Sequence, residues 1–196
     1  MIDNSYDYKG YDIEVKVDEE PMDPREDDDY LMGRMACFHG RYKLGDKHNF
    51  DCDMFKGWAE MAEHIRVKLK ASIILPLFLY DHSGLRIKIG SFNGYVAQGH
   101  AEFDSGQVGF IYTTNDIIKK NYAIKKVTKA KLKLAAKRLY NEVEAYDAFI
   151  SGQVYEYVIS KDSDTQDYGD GYYDYKQAQE SAERCVNALL KRKGNK

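Results

Sequence analysis

The chain has 196 residues, which is enough for one domain with a substantial core and close to the lower limit for two. Apolar residues make up 43% and charged residues 31%, as in an ordinary globular protein, and no apolar run approaches the roughly 20 residues that a membrane span needs. The formal net charge of −3 is too small to give the uniform negative field of a DNA mimic. The three cysteines are irregularly spaced, which argues against a disulfide framework.

The first third of the chain predicts two strands and a helix. Residues 11–18 alternate between apolar and charged side chains, as in a strand with one buried face, and residues 33–38 form a second, short strand. Between them, residues 19–30 hold two prolines and many acids, and we expect an exposed loop. Residues 54–71 have the apolar spacing of a helix, with Asp53 as its N-cap.

The middle of the chain predicts a hairpin, a further strand and a short helix. Residues 73–80 form a continuous apolar run that suits a buried strand, with Pro76 at a bulge or edge. A tight turn joins this strand to an alternating strand at residues 85–89. After a glycine-rich segment, residues 107–113 form another strand, and Thr114 caps a short helix.

The last third predicts the longest helix over residues 128–150, ended by Gly152. Residues 153–160 follow as a strand, residues 161–174 as an acidic loop, and residues 175–190 as a closing helix. This order lacks a regular strand–helix–strand rhythm. The sequence therefore predicts an α+β fold, with a mixed, mainly antiparallel sheet packed by three to four helices in a single domain over residues 1–196.

Charge is distributed unevenly along the chain. Residues 18–30 form an acidic loop, whereas residues 116–138 hold nine basic residues and one acidic residue, and the tail at residues 191–196 is basic. Separate positive and negative regions favour electrostatic steering or self-association. The 17 tyrosines suit such surfaces, because a phenol joins a large apolar area to a polar tip, although tyrosine is also a common strand residue.

The N-terminal sequence lacks the basic and apolar segments of a signal peptide. We therefore expect a cytoplasmic protein with no membrane partner, located in the host cell cytoplasm if its origin is viral.

Four segments together resemble a widespread family of proteins from bacteriophages and other mobile elements, over roughly residues 8–190. They are residues 23–28 (DPREDD), 37–48 (CFHGRYKLGDKH), 80–84 (YDHSG) and 104–112 (DSGQVGFIY). The resemblance implies an accessory protein that binds a host or phage factor, including components of host defence, and it supplies no catalytic residues. Residues 91–103 depart from the family pattern as a longer, glycine-containing insertion.

Two groups of residues could support chemistry. Zinc-ligand residue types lie close together at Cys37, His39, His48 and Cys52, but their irregular spacing favours a buried cysteine and ordinary loop histidines, and we expect no metal and no cofactor. A hydrolase or metal-dependent site could use the polar residues that end strands or lie in adjoining loops: His39, Asp46, His48, Asp81, His82, Asp104 and Ser105. The alternative is that the Asp and Ser side chains shape turns by binding nearby backbone amides.

Known nucleotide-binding motifs and a calcium loop are absent from the sequence. The basic segment offers candidates for nucleic-acid binding, namely Lys119, Lys120, Lys125, Lys126, Lys133, Lys137 and Arg138. A charged solvent face is also what any surface helix shows, and lysine outnumbers arginine here. The leading hypothesis is therefore a non-enzymatic protein that binds a host or phage protein, with an enzyme and a nucleic-acid-binding protein as alternatives and a homo-oligomer left open.

Overall fold

The computed structural model describes residues 5–26, 30–96 and 103–194, which fall into two compact units. Unit 1 combines the two ends of the chain, Met1–Met22 and Ala148–Lys196, and unit 2 is the continuous segment Asp23–Asp147. The expectation of a single domain stays a prediction, and each unit is described on its own.

Each unit contains one four-stranded antiparallel sheet, which confirms the predicted α+β class. The strands are β1 (Ser5–Asp7), β2 (Asp12–Val17), β3 (Arg34–Cys37), β4 (Ala71–Asp81), β5 (Leu85–Ile89), β6 (Ser105–Thr114), β7 (Tyr155–Lys161) and β8 (Asp164–Tyr172). The helices are a 3₁₀ turn (Cys52–Met54), α1 (Trp58–Val67), α2 (Asn115–Tyr122), α3 (Lys129–Ile150) and α4 (Tyr175–Gly194). The sheet order is β1-β2-β7-β8 in unit 1 and β3-β6-β4-β5 in unit 2.

In unit 1, α4 covers one face of the sheet. The alternation predicted for β2 is confirmed at Ile13 and Val15, which are fully buried together with Tyr11 before the strand. They pack with Ala178 and Ala182 of α4, whose small side chains let the helix lie close to the strands. The other face of β2 is charged and exposed.

The prediction of an acidic loop at residues 161–174 is wrong, because most of this segment is β8. Asp162 and Ser163 have φ values of 53° and 72°, the positive values that a two-residue hairpin turn needs, and they return the chain alongside β7. Gly169 lies against the ring of Tyr157, only 2.8 Å from where a Cβ atom would be. An edge strand can be polar along most of its length, so its composition resembled a loop. β1 was also not predicted.

In unit 2, helices pack on both faces of the sheet. Phe110 of β6 and Ala36 of β3 form a cluster with Met61 and Ile65 of α1. Ile111, the next residue of β6, points to the opposite face. There Ile111 and Leu139 of α3 both surround Gly33, where a Cβ atom would lie within 2.6 Å of each side chain. Gly33 therefore permits the close approach of α3 to this end of the sheet.

Two predicted helix starts have different outcomes. Thr114 caps α2 as predicted, and its hydroxyl accepts a hydrogen bond from the Ile117 amide. Asp53 does not cap α1, because the chain is extended at Phe55 and α1 begins only after Gly57. The apolar spacing continued across Phe55, so the sequence pattern did not reveal this break.

A carboxylate binds one backbone amide on each edge strand of the unit 2 sheet. Asp46 accepts a hydrogen bond from the Met35 amide of β3 at 2.9 Å, and Asp147 accepts one from the Ile87 amide of β5 at 2.7 Å. Asp147 also forms an ion pair with Arg86. Each carboxylate occupies one edge amide that an added strand would need, which makes that position of the edge less open to strand pairing.

Thr113 is fully buried, and its hydroxyl has no hydrogen-bond partner among the described residues. Because an unsatisfied buried hydroxyl costs about 1–3 kcal/mol, we expect Thr113→Val to raise the free energy of unfolding by about 1 kcal/mol. Thr114→Val is the matched control, since it removes a helix cap and should lower the free energy of unfolding by about 1 kcal/mol. Urea denaturation followed by the fluorescence of Trp58, the one tryptophan of the chain, measures both. Destabilisation by both variants would show that the Thr113 hydroxyl is satisfied.

Candidate functional site

Asp46, one of the predicted catalytic residues, belongs to a buried ionic cluster around Arg25. Nε and Nη2 of Arg25 donate to the two carboxylate oxygens of Asp46 at 2.7 and 2.8 Å, and Nη1 donates to Glu142 at 3.1 Å. Nη2 also donates to the Gly33 carbonyl at 2.8 Å. Arg25 is only 6% exposed, although it lies in the segment predicted to be an exposed loop. Asp46 is therefore occupied in holding unit 2 together.

The glutamate of this cluster also binds the backbone. One oxygen of Glu142 accepts from the Met32 amide at 2.6 Å and the other from the Gly33 amide at 3.0 Å. Sequence analysis missed both Arg25 and Glu142. The signal that could have suggested Arg25 is its position as the only cation in an acidic run.

Cys37 and His48 contact each other through the backbone of Cys37 instead of through a metal site. Nε2 of His48 lies 3.0 Å from the Cys37 carbonyl oxygen, so this nitrogen must carry the hydrogen. Burial, with a smaller contribution from the charge of Asp46, raises the pKa of the Cys37 thiol to about 12. A thiol that stays protonated at neutral pH is a poor nucleophile and metal ligand. His39 is instead stacked on Tyr42, with 5.0 Å between ring centroids.

No group of three or more His, Cys, Asp or Glu residues in the described part of the chain is arranged to hold a metal ion. The side chain of Cys52 lies outside that part.

The remaining polar candidates lie near the β4–β5 hairpin. Nδ1 of His82 is 3.1 Å from a carboxylate oxygen of Asp104, and Asp81 forms an ion pair with Arg41. Ser105 is the first residue of β6 and pairs with Tyr80. The structure thus brings His82 and Asp104 together. The turn sequence forms the predicted hairpin, with Ser83 and Gly84 at positive φ.

The predicted polar residues do not share one pocket. An open cleft of about 900 Å³ in unit 2 is lined by Asp46 and His48 of that set. Its charged lining is mixed, because Arg34 and Lys47 are balanced by Asp23 and Glu26. The predicted set therefore lies in two places: Asp46 and His48 line this cleft, whereas the remaining candidates lie at or beside the hairpin, where Arg41 links His39 to Asp81.

Two of the basic candidates, Lys133 and Lys137, lie with Lys129, which was not predicted, in an exposed stripe on α3. We call Lys129, Lys133 and Lys137, with Leu134 and Tyr140 on the same solvent-facing side, the lysine face. The three lysines are exposed, and none has an ion pair or hydrogen bond to another described residue. Leu134 and Tyr140 are 49% and 46% exposed. The acids on this side, Glu144 and Asp147, come only after Tyr140, so the first three turns of α3 present positive charge that no described residue pairs.

The other basic candidates differ in their surroundings. Lys119 pairs with Asp116 at 3.1 Å, and Arg138 pairs with Glu142 and donates to the Tyr30 carbonyl. Lys125 and Lys126 are exposed in the connection between α2 and α3. Arg138 therefore serves the fold, whereas the lysine face remains available.

A second charged surface lies on the side of the unit 1 sheet that faces away from α4. We call Asp7, Asp12 and Glu14, with Val158 and Tyr168, the carboxylate face. Asp7 and Asp12 are directly opposite each other in the β1–β2 register, and Glu14 is the next residue on the same side of β2. All three are exposed and form no ion pair with a described residue. Tyr168, opposite Val158, is 66% exposed.

No protein-family model, curated protein or solved structure matches the chain. Among the described helices, none combines the length and the apolar character required to cross a bilayer.

Proposed function

We propose that this chain is an accessory protein of a phage or other mobile element that acts by binding an acidic surface of a host or phage protein through its lysine face. The observation that carries this proposal is the run of three exposed lysines on consecutive turns of α3, none of which pairs with a residue in the described ranges of the chain. The sequence resemblance supports such an origin, and a component of host defence is a partner of the proposed kind.

The lysines stand where they weaken the helix. The first turn of α3 contains no acidic residue, and Lys129, a cation in that turn, costs about 0.3–1 kcal/mol through the helix dipole. Like charges four residues apart cost a further 0.2–0.5 kcal/mol or so for each pair. Because nearby carboxylates would relieve both costs, the retained charge points to an anionic partner.

The apolar residues of the lysine face favour a protein over a nucleic acid. Leu134 and Tyr140 lie beside the lysines, and exposed apolar side chains next to charged ones are typical of protein interfaces. Lysine also lacks the planar group with which arginine recognises guanine. A catalytic role is not proposed, because Asp46 is held by Arg25 and His48 by the Cys37 carbonyl.

Charge reversal of the lysine face tests this function. In Lys129→Glu/Lys133→Glu/Lys137→Glu, we expect capture of the partner from a bacterial host lysate to be lost while the free energy of unfolding rises by about 1 kcal/mol, since glutamate suits a helix N-terminus. The rise separates a lost interface from a lost fold. Affinity purification with quantitative mass spectrometry measures capture, and thermal denaturation measures stability.

The matched control is Lys43→Glu/Lys56→Glu/Lys68→Glu, which makes the same change in charge at exposed positions elsewhere in unit 2. This control should retain the partner, and raising the salt concentration should weaken binding of the unmodified protein. Equal capture by both variants would contradict the proposal, as would recovery of no stoichiometric partner at low as well as high salt. Recovery of oligonucleotides in place of a protein would support the nucleic-acid alternative.

A further inference from the structure

We propose that the lysine face of one copy docks on the carboxylate face of a second copy, so that the chain self-associates from head to tail. This inference goes beyond the proposed function, because it needs no foreign partner. It uses the same lysines, so an acidic partner and a second copy would compete for them.

The two faces match in charge. The lysine face presents three ammonium groups and the carboxylate face presents three carboxylates, and none of the six forms an ion pair with a residue that the structure describes. Lys16 is the cation on the described part of the carboxylate face, and it is already paired with Glu156 at 3.0 Å. Lys16 also interacts electrostatically with Glu14, but one cation does not balance the carboxylates of this face, so the two faces keep net charges of opposite sign.

Both faces also keep like charges together at the expense of the fold. Asp7 and Asp12 are direct cross-strand neighbours, an arrangement that destabilises a sheet when the charges have the same sign. Lys129, Lys133 and Lys137 repeat the same unfavourable arrangement along a helix. A contact between the two faces would place opposite charges next to each other and so relieve the repulsion within both faces at once.

The two faces also match in their exposed apolar side chains and in their approximate size. Tyr168 and Val158 can pack against Leu134 and Tyr140, which places apolar contact beside the ion pairs. The three lysines extend over about 12 Å of helix, and the carboxylates lie about 5–7 Å apart on neighbouring and successive strand positions. The spacing of the lysines therefore differs from the spacing of the carboxylates, but lysine side chains are long and flexible enough to make up for this difference.

Such a contact joins two different surfaces, so it does not close into a symmetric dimer. Heterologous contacts propagate into chains or rings of subunits. Because the contact depends on exposed charges, it should grow with protein concentration and disappear as salt screens it.

The test is the molar mass of the purified chain, measured by sedimentation velocity and by light scattering over a range of concentrations. At about 20 mM salt we expect the weight-average mass to at least double over the monomer value of 22.6 kDa at high concentration, and at about 500 mM to return to it. The lysine-face reversal and Asp7→Lys/Asp12→Lys/Glu14→Lys should each remain monomeric. The neutral variant Asp7→Asn/Asp12→Asn/Glu14→Gln, which keeps side-chain size, should lose association in the same way.

The most decisive experiment mixes the variant with the reversed lysine face and the variant with the reversed carboxylate face. Each alone has two faces of the same sign, whereas an equimolar mixture offers complementary faces and should associate again. A chain that is monomeric at every salt concentration would overturn the proposal, and so would association that survives either reversal or a mixture that stays monomeric. Any of these three outcomes would leave the proposed function intact, provided that the lysine face still captures a foreign protein. In that case only the proposal of self-association fails.

Discussion

Replacing Arg25 with alanine is expected to lower the free energy of unfolding of unit 2 by about 3–5 kcal/mol, because it leaves the buried carboxylate of Asp46 without a counterion and leaves Glu142 with only the partly exposed Arg138. The side chains of Asp46 and Glu142 are only 9% and 11% exposed, so water cannot take the place of the guanidinium. The Gly33 carbonyl also loses a donor. Urea denaturation monitored by the fluorescence of Trp58 measures the effect.

Two variants sharpen this experiment. Arg25→Lys keeps the charge but cannot reproduce the bidentate contact with Asp46 while also reaching Glu142, so we expect an intermediate loss. Arg41→Ala removes an exposed arginine from its ion pair with Asp81 and should cost about 1 kcal/mol or less. A loss below about 1 kcal/mol for Arg25→Ala would mean that the cluster is hydrated, against the burial described here.

Alkaline pH should destabilise the chain through Cys37. Burial, with a smaller contribution from Asp46, raises the pKa of this thiol from 9.0 to about 12 in the folded protein. The resulting stabilisation is fully present below pH 9.0 and is lost as the pH rises toward 12, because the unfolded chain releases the proton first. The loss is about 1.4 kcal/mol per pH unit, or about 4 kcal/mol over the whole range.

The comparison with Cys37→Ala isolates this contribution. Tyr146, whose pKa burial raises to about 12, also titrates in this range, but it is present in both proteins and largely cancels in the difference. Between pH 8 and pH 10.5 we expect the free energy of unfolding of the unmodified chain to fall by about 2 kcal/mol more than that of the variant, as measured by urea denaturation and circular dichroism at each pH. Parallel pH profiles would show that the thiol is accessible to solvent in the folded state.

The parts of the fold that follow a clear apolar period were predictable. The buried side of α3, including Leu139 and Val143, and the alternation of β2 both agree with the sequence. β8 was not predictable in this way, because an edge strand rich in Asp and Gly has no regular apolar alternation. The break before α1 was hidden for the opposite reason, since Phe55 fits the helical period but belongs to an extended segment.

The candidate surfaces were predictable from local charge only in part. Lys133 and Lys137 were recognised because their spacing alone places them on the solvent face of a helix. The structural role of Asp46 was not recognised, because the cluster of Asp46, Arg25 and Glu142 joins residues that are distant in sequence. Only the tertiary fold brings them together. The carboxylate face likewise arises from the pairing of β1 with β2, and no motif marks it.

The division of the chain into a continuous and a discontinuous unit has a consequence for its synthesis. β2 pairs with β7, which the ribosome makes only after roughly 140 further residues, a delay of about 7–30 s at typical bacterial elongation rates. All residues of unit 2, Asp23–Asp147, are made within that interval, before β7. During the same period Ile13 and Val15 have no sheet to join. Nascent chains stalled before residue 155 should therefore depend on chaperones that bind exposed N-terminal apolar segments, whereas completed chains should not.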